Sequence, residues 1–478
     1  MPKHDVTPFS FQITETTPGT ISTDWNNKLI HGDNLAVLES LHHGMFREEI
    51  EKQGGLKLVY IDPPFDVGTD FPIEIAIGEK RVAKKSNRIE KIAFRDKWGK
   101  ENEPFESMLE KRLRLIHSLL ADDGSLYVHC DYRTSAVIRL MLDAIFGQDC
   151  FLNEIIWSYK SGGVSKSFFA RKHDTIFFYC KNRAKVLFNT QYYRSYQAKK
   201  YNYNPKYPEL WDEEKKQWYH NAICRDVWDD IKIIGTETGQ QERLSYPTQK
   251  PEALLERIIR ASSNEGDLVA DFFCGSGTLP VVAEKLGRKW IAADLGTFAV
   301  HATRKRLLAL NKPPFQGFDI YEKNDTTENK AISFKAKQIH DENGLKVELV
   351  DFQAVLPDES GYLTSKKTHL AIENGLLVKI SRDQTGVIVR EDLMKHWSDW
   401  IDYWAVDFDF DPNGKRPFQN CWTAFRSKPD RKLQLQSACF LGSSTGVVAA
   451  KVIDVFGRET VTMVSGSCCR IENPPCQS

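Results

Sequence analysis

Residues Leu56–Ile61 form an apolar run broken only by Lys57, and the run stops on Asp62-Pro63-Pro64-Phe65. A strand that is apolar at consecutive positions has both faces buried, the condition of an interior strand in a helix-covered parallel sheet. Proline gives a sheet no N–H and fixes its own φ, so two in succession end the strand and stiffen the turn after it. The flanking sequence agrees with an α/β class. Lys28–His31 is a short strand candidate, followed by Gly32-Asp33-Asn34 and a helical segment through Leu41. Met108, Leu109, Leu113, Ile116 and Leu120 recur at helical spacing, Asp122-Asp123-Gly124 stops that helix, and Ser125–His129 is the next strand. A helix through Ile138, Leu142 and Ile145 ends near Gly147, and strands are predicted over Phe151–Tyr159 and Thr175–Cys180.

The rhythm breaks between Lys181 and Ser245, where Tyr192, Tyr193, Tyr196, Trp211, Trp218 and Tyr219 lie among Arg194, Lys199, Lys200, Lys215 and Lys216. It resumes with a helix over Glu252–Ala261, a strand over Leu268–Phe272, a Gly-rich turn, a helix through Glu284, a strand over Trp290–Ala293 and a helix over Phe298–Leu310. Lys312-Pro313-Pro314 marks a boundary, beyond which strand-like pattern dominates. The expected organisation is a loosely held N-terminal arm (1–24), a first α/β half (25–181), an insertion (182–245), a second α/β half (246–321) and a β-rich C-terminal domain (322–478).

Composition narrows the setting. Lys plus Arg and Asp plus Glu number 65 each, so net charge gives no hint of a polyanionic partner; its distribution is what matters. No apolar run approaches the ~20 residues that span a bilayer, and the N-terminal sequence lacks a signal peptide's apolar core. The ten cysteines include no CxxC pair. A cytoplasmic protein with reduced thiols is the expectation.

Two segments carry chemistry. Asp62 sits where a buried strand ends, and open α/β sheets bind ligands outside such carboxyl ends. An arylamine nitrogen is a poor nucleophile, because its lone pair is delocalised into the ring. A fixed carboxylate and a backbone carbonyl can each accept a hydrogen bond from its amino hydrogens and turn the lone pair towards an electrophile. Phe65 is suited to stack on a base rotated out of a helix. Taken alone, the motif also fits an Asp that merely caps a Pro-Pro turn.

The second segment is Asp267–Thr278, a strand ending in Cys274-Gly275-Ser276-Gly277-Thr278. Such a turn lets backbone approach a nucleotide-like ligand closely. The dinucleotide fingerprint GxGxxG needs a third glycine at position 280, where this chain has Pro280. Asp294 closes the next strand, where an acidic side chain bonds ribose hydroxyls; a helix N-cap is the rival role.

With these motifs in order, the sequence resembles the β-class amino-methyltransferases of DNA, particularly modification subunits of type III restriction systems and related stand-alone enzymes. IDPPFDVGTDF, LLADDGSLYVHCD, KHDTIFFYCKN, Pro247-Thr248-Gln249-Lys250-Pro251 and His31-Gly32-Asp33-Asn34 carry the resemblance, which covers most of residues 28–310. It implies a Rossmann-like methyltransferase sheet, circularly permuted with the catalytic half first, and an inserted target-recognition region at 182–245. It implies S-adenosylmethionine as methyl donor and no metal. Asp62, Pro63, Pro64 and Phe65 would hold and activate the base. Phe273, Gly275, Ser276, Gly277 and Thr278 would line the methionine portion of the cofactor, with Asp271 shaping the turn and Phe272 also in the cofactor site. Asp294 would bind ribose, and Asp33 and Lys250 would complete the pocket. Double-stranded DNA is the implied partner, and an Asp-Pro-Pro-aromatic motif favours N6 of adenine over N4 of cytosine. A restriction or helicase subunit, a homodimer and an RNA substrate stay open. The basic run from Lys80 to Lys91 suits either the DNA backbone or a solvated loop.

Overall fold

The structure is a computed structural model that describes residues 11–17, 25–44, 46–64, 73–77, 80–84, 104–160, 164–200, 208–234, 242–244, 246, 248–310, 317–323, 332–342, 344–355, 368–383, 385–427, 431–441 and 446–465. One sheet organises it. Its strands are β1 (Phe11–Thr17), β2 (Asn27–His31), β3 (Leu56–Ile61), β4 (Leu120–Cys130), β5 (Phe151–Ser158), β6 (His173–Cys180), β7 (Val227–Trp228), β8 (Leu268–Asp271), β9 (Lys289–Asp294), β10 (Phe318–Lys323) and β11 (Phe418–Gln419). Their spatial order is β7-β5-β6-β4-β3-β8-β9-β2-β10-β1-β11. From β4 to β10 every neighbouring pair is parallel.

Among the described residues seven helices cover it: α1 (Asn34–His43), α2 (Phe46–Lys52), α3 (Phe105–Leu119), α4 (Ser135–Phe146), α5 (Glu252–Ser262), α6 (Thr278–Lys285) and α7 (Thr297–Leu310). The side-chain alternation of β3 shows why both faces must be apolar. Val59 and Ile61 pack with Leu38, Leu109 and Ile116 of α1 and α3, whereas Leu58 and Tyr60 belong to the core that includes Leu254, Ile258 and Leu279 of α5 and α6. Each such buried side chain contributes about 1.5–3 kcal/mol, as an upper estimate. The two halves of the motif sequence meet at the centre, because β3 and β8 are neighbours with Val59 opposite Ala270. That register brings the ends of both strands to one edge.

The N-terminal expectation is corrected in part: Phe11–Thr17 is no loose arm but a strand paired with β10 and β11. Its central Glu15 is fully buried. Asp122-Asp123-Gly124 likewise does not separate helix from strand; it is an irregularity within β4, where pairing with β3 slips between Leu56 and Leu58. The insertion contains a three-stranded antiparallel sheet (Tyr192–Gln197, Leu210–Asp212, Gln217–Ile223). Arg194 lies 4.8 Å from the Tyr219 ring centroid and Lys215 4.1 Å from that of Tyr196. Past it, Val227–Trp228 rejoins the main sheet beside β5.

The C-terminal region is β-rich. A hairpin (Ile332–Asp341, Gly344–Ala354), a three-stranded sheet (Thr368–Glu373, Leu376–Arg382, Ile388–Asp392) and a four-stranded sheet centred on Ile401–Phe410 and Val447–Asp454 share a core around Trp400 and Trp404. Ions lock it to the α/β part. Glu15 Oε2 lies 2.8 Å from both Lys451 Nζ and Arg304 Nη2, and Lys451 reaches Glu459 at 2.6 Å. Among the described residues no helix is long and apolar enough to cross a membrane. The end of the basic run, from Lys85 on, and the cysteine-bearing tail beyond 465 lie outside the described residues.

Candidate active site

At the carboxyl ends of β3, β8 and β9 the chain opens a solvent-facing cleft of about 170 Å³. One wall is Tyr60, Asp62, Pro63 and Pro64; the opposite wall is the turn from Asp271 to Leu279; Tyr246, Thr248 and Lys250 close a third side. Asp62 comes directly after the last residue of β3, and Pro63 stops the ladder there. Its Oδ2 accepts a hydrogen bond from Lys250 Nζ, while its Oδ1 is buried without a partner among the described residues. A buried acceptor left unpaired costs about 1–3 kcal/mol, more when charged. The site is therefore built with one acceptor waiting for a donor. Phe65 lies outside the described residues.

The Gly-rich turn is held from three directions. Asp271 Oδ1 accepts from Phe273 N at 2.9 Å, and Asp294 accepts from Gly275 N and Gly296 N at 2.8 Å each. Gly277 stands immediately before α6 at φ +73°, where a Cβ would lie 2.4 Å from Thr303 Oγ1. Only glycine meets both demands. Pro280, which occupies the position a dinucleotide site gives to glycine, lies in the first turn of α6, where a missing N–H breaks no helix bond. From α7, Arg306 Nη1 donates to Ser276 O and to Thr278 Oγ1 at 3.0 Å each.

Carboxylates dominate the electrostatics. Burial pushes the Asp271 carboxyl well above the usual carboxylate range, with the charges of Asp62 and Asp294 adding to it. Burial likewise raises Asp294, against its hydrogen bonds from Gly296 and Gly275. Three acidic groups around a half-enclosed cleft, with Lys250 the nearby cation, suit a ligand that brings positive charge.

Of the residues expected from sequence, Asp62, Pro63, Pro64, Lys250, Asp271, Phe272, Phe273, Gly275, Ser276, Thr278 and Asp294 line this one cleft. Gly277 shapes the turn from behind. Asp33 does not line the cleft. It is the N-cap of α1, accepting from Leu35 N at 2.8 Å, and pairs with Arg112 at 3.2 Å. Its neighbour Asn34 is the cleft residue, donating to Phe272 O at 2.9 Å while its own Oδ1 accepts from Arg112.

Other functional residues escaped the sequence reading. Tyr246 packs against Gly275 and stacks on Phe298, with centroids 6.3 Å apart; it directly precedes the Pro-Thr-Gln-Lys-Pro motif, the one signal available. Beneath Asp62 a hydrogen-bond chain crosses the sheet: Tyr60 Oη to His129 Nδ1 (2.9 Å), His129 Nε2 to Asp174 Oδ2 (3.2 Å), and Tyr159 Oη to Asp174 Oδ1 (3.2 Å). Burial works to raise the Asp174 carboxyl, but the His129 bond and charge outweigh it and hold it below its ordinary value.

The sequence profile of a family described as DNA methylase matches residues 56–305, the span that carries the cleft lining apart from Asn34. The DNA adenine methyltransferase YhdJ of Escherichia coli K12 is 28% identical over 288 residues, 58% of this chain and 82% of that protein. A probable type III restriction-modification enzyme HindVI Mod subunit of Haemophilus influenzae is 24% identical over 410 residues, 59% of this chain and 51% of its own length. Among solved structures, the PvuII cytosine-N4-specific DNA methyltransferase aligns at 20% identity and a TM-score of 0.38, over 64% of this chain and 92% of that one.

Proposed function

This chain belongs to the DNA methylase family, and we propose that it transfers a methyl group from S-adenosylmethionine to the N6 amino group of adenine in double-stranded DNA. The observation that carries this reading is the buried Oδ1 of Asp62, without a partner among the described residues, beside the Gly-rich turn. The relative named as a DNA adenine methyltransferase supports adenine as the base.

The cleft residues fit the donor molecule. A Gly275-Ser276 turn with little side-chain bulk suits close approach of a small polar amino-acid portion, Asp294 suits ribose hydroxyls, and the raised carboxyls of Asp271 and Asp294 favour a cationic ligand. When bound, S-adenosylmethionine supplies an electrophilic methyl group on a sulfonium. The chain's own part is to present the nucleophile. A base inside a duplex hides its amino group, so it must be rotated out to reach the end of β3. There Asp62 Oδ1 accepts one amino hydrogen, and Lys250 holds the carboxylate still through Oδ2. Drawing on that hydrogen pyramidalises the nitrogen and frees its lone pair. As positive charge develops on the nitrogen, the fixed carboxylate stabilises it.

The relative named as a type III Mod subunit supports a restriction subunit as partner, and the chain is proposed to act in the cytoplasm. The test is direct. Purified protein with a tritiated methyl donor should label N6-methyladenine in duplex DNA, identified after digestion to nucleosides. Label confined to N4-methylcytosine would overturn the base, and label on RNA alone would overturn the substrate.

A further inference from the structure

The connection between β5 and β6 exposes apolar surface on the edge that carries Asp62. Phe169 is 99% exposed, Val164 93% and Phe168 58%. Soluble proteins rarely gather such groups on one loop without a use for them. The loop is closed at its base by Tyr159 N donating to Lys172 O at 2.9 Å, and Ser165 Oγ shapes its tip by accepting from Ser167 N and Phe168 N at 3.2 Å each. Arg171 lies 4.0 Å from the ring centroid of Tyr132, the second residue after β4, donates to its hydroxyl at 2.9 Å, and lies 4.9 Å from the Phe168 ring. Between residues 159 and 173 there are four basic residues (Lys160, Lys166, Arg171, Lys172) and no carboxylate.

Apolar rings set among cations without acids suit a partner that is a polyanion outside and stacked rings inside, which is nucleic acid. Position agrees. Three hydrogen bonds lead from Tyr159 at the loop's base through Asp174 and His129 to Tyr60 in the cleft wall. A base drawn into that cleft leaves a gap of aromatic thickness in the duplex, within reach of the same edge. Resting on the function proposed above, we infer that the 164–172 loop is a second DNA contact: Phe169 enters the stack where the target nucleotide has left, and Lys166 and Arg171 meet the flanking phosphates. The ring stabilises the opened duplex and so speeds methylation of a fully paired site. It matters less where the target base is already unpaired.

The experiment compares Phe169→Ala with wild type on two duplexes, one with the target base correctly paired and one with it opposite an abasic position. From the cost of losing one base–aromatic stack, kcat/KM should fall at least about fivefold on the paired duplex. The loss on the unpaired one should be smaller by about threefold or more. Phe169→Trp, which keeps a stacking ring, should stay close to wild type on both. Thermal melting of the alanine variant checks that the fold is intact, which full exposure of the side chain leads us to expect. Equal losses on the two duplexes, or no loss on either, overturn the loop's role while leaving the methyltransferase reading in place. A wild-type chain that methylates neither duplex overturns that reading and this inference together.

Discussion

Lys250 Nζ donates to Asp62 Oδ2 across 188 positions of sequence, and the other oxygen of the same carboxylate is buried and unpaired among the described residues. The pair divides the labour of one side chain: one oxygen is anchored and the other is free to act. Asp62→Asn keeps the shape but loses the charge that stabilises the developing ammonium. A fall in single-turnover rate of about 10²–10³ is expected, the size seen when one fixed transition-state partner is lost. Affinity for the methyl donor, measured by calorimetry, should stay within about threefold. A variant of near wild-type rate would remove Asp62 from the mechanism.

Gly277 offers a test of the turn. A Cβ there meets Thr303 Oγ1 at 2.4 Å, and its φ of +73° strains any L side chain. Gly277→Ala should therefore destabilise by about 2 kcal/mol or more, the left-handed backbone supplying about 1–2 of it. Adding Thr303→Gly removes the clash but not the backbone strain, and it also removes the hydroxyl that donates to Gly275 O at 3.2 Å. The double variant should recover only part of the loss in urea denaturation. Full recovery would show that the backbone conformation costs nothing.

Much of this site was legible in the sequence because its carboxylates mark ends of strands. Asp62, Asp271 and Asp294 each follow or close an apolar run, and adjacent parallel strands bring such ends together whatever their separation in the chain. Asp33 and Asn34 were harder: both are polar, both begin a helix, and only the fold shows that Arg112 draws Asp33 into the cap while Asn34 faces the cleft. The Tyr60–His129–Asp174 chain needed strand register, which spacing along one strand does not contain. Glu15 misled for a different reason. A charged residue in a Thr-rich segment reads as solvated, but its buried partners Lys451 and Arg304 come from distant sequence.

The raised carboxyls of Asp271 and Asp294 make cofactor affinity pH-dependent. Each binds its proton more tightly folded than unfolded. Their stabilising contribution is thus fully present below the ordinary carboxylate range and is lost as pH rises through the folded values. A cationic ligand favours the ionised carboxylates, so its affinity should rise with pH over that same window. Calorimetric titrations from the ordinary carboxylate range upward should show a steeper rise for the sulfonium donor than for its neutral thioether product. Equal slopes would place the sulfonium away from these two groups.

Tyr60 ties the cleft wall to the His129–Asp174 pair. Tyr60→Phe removes one bond and leaves His129 Nδ1 without that partner in a buried place, at a cost of about 1–3 kcal/mol. Asp174 is held below its ordinary value, so its contribution to stability is present above the unfolded carboxylate range and lost as pH falls through the folded value. Asp174→Asn should accordingly flatten the acid side of the stability profile, measured as Tm against pH. An unchanged acid limb would show that this pair does not contribute there.

The buried ions around Glu15 reach the cofactor turn through one helix. Arg304, which meets Glu15 at 2.8 Å, is the next residue after Thr303, whose hydroxyl donates to Gly275 O. Lys451 is 2% exposed and touches both Glu15 and Glu459. Burial works to lower its ammonium value, but the two glutamates outweigh that and raise it. Lys451→Met leaves Glu15 with Arg304 as its one remaining cation among the described residues and Asn420 as a neutral donor, and breaking a buried pair this way costs about 3–5 kcal/mol. Replacing Glu15 and Lys451 together by methionine removes both charges and lets Arg304 keep Glu459, so the double variant should be more stable than the sum of the two single losses by about 1–3 kcal/mol. Because the same helix carries Thr303, the single variant should also bind the methyl donor more weakly, and the double variant should recover part of that affinity. Additive stabilities with unchanged donor affinity would mean that the C-terminal domain rests on α7 without being coupled to the site.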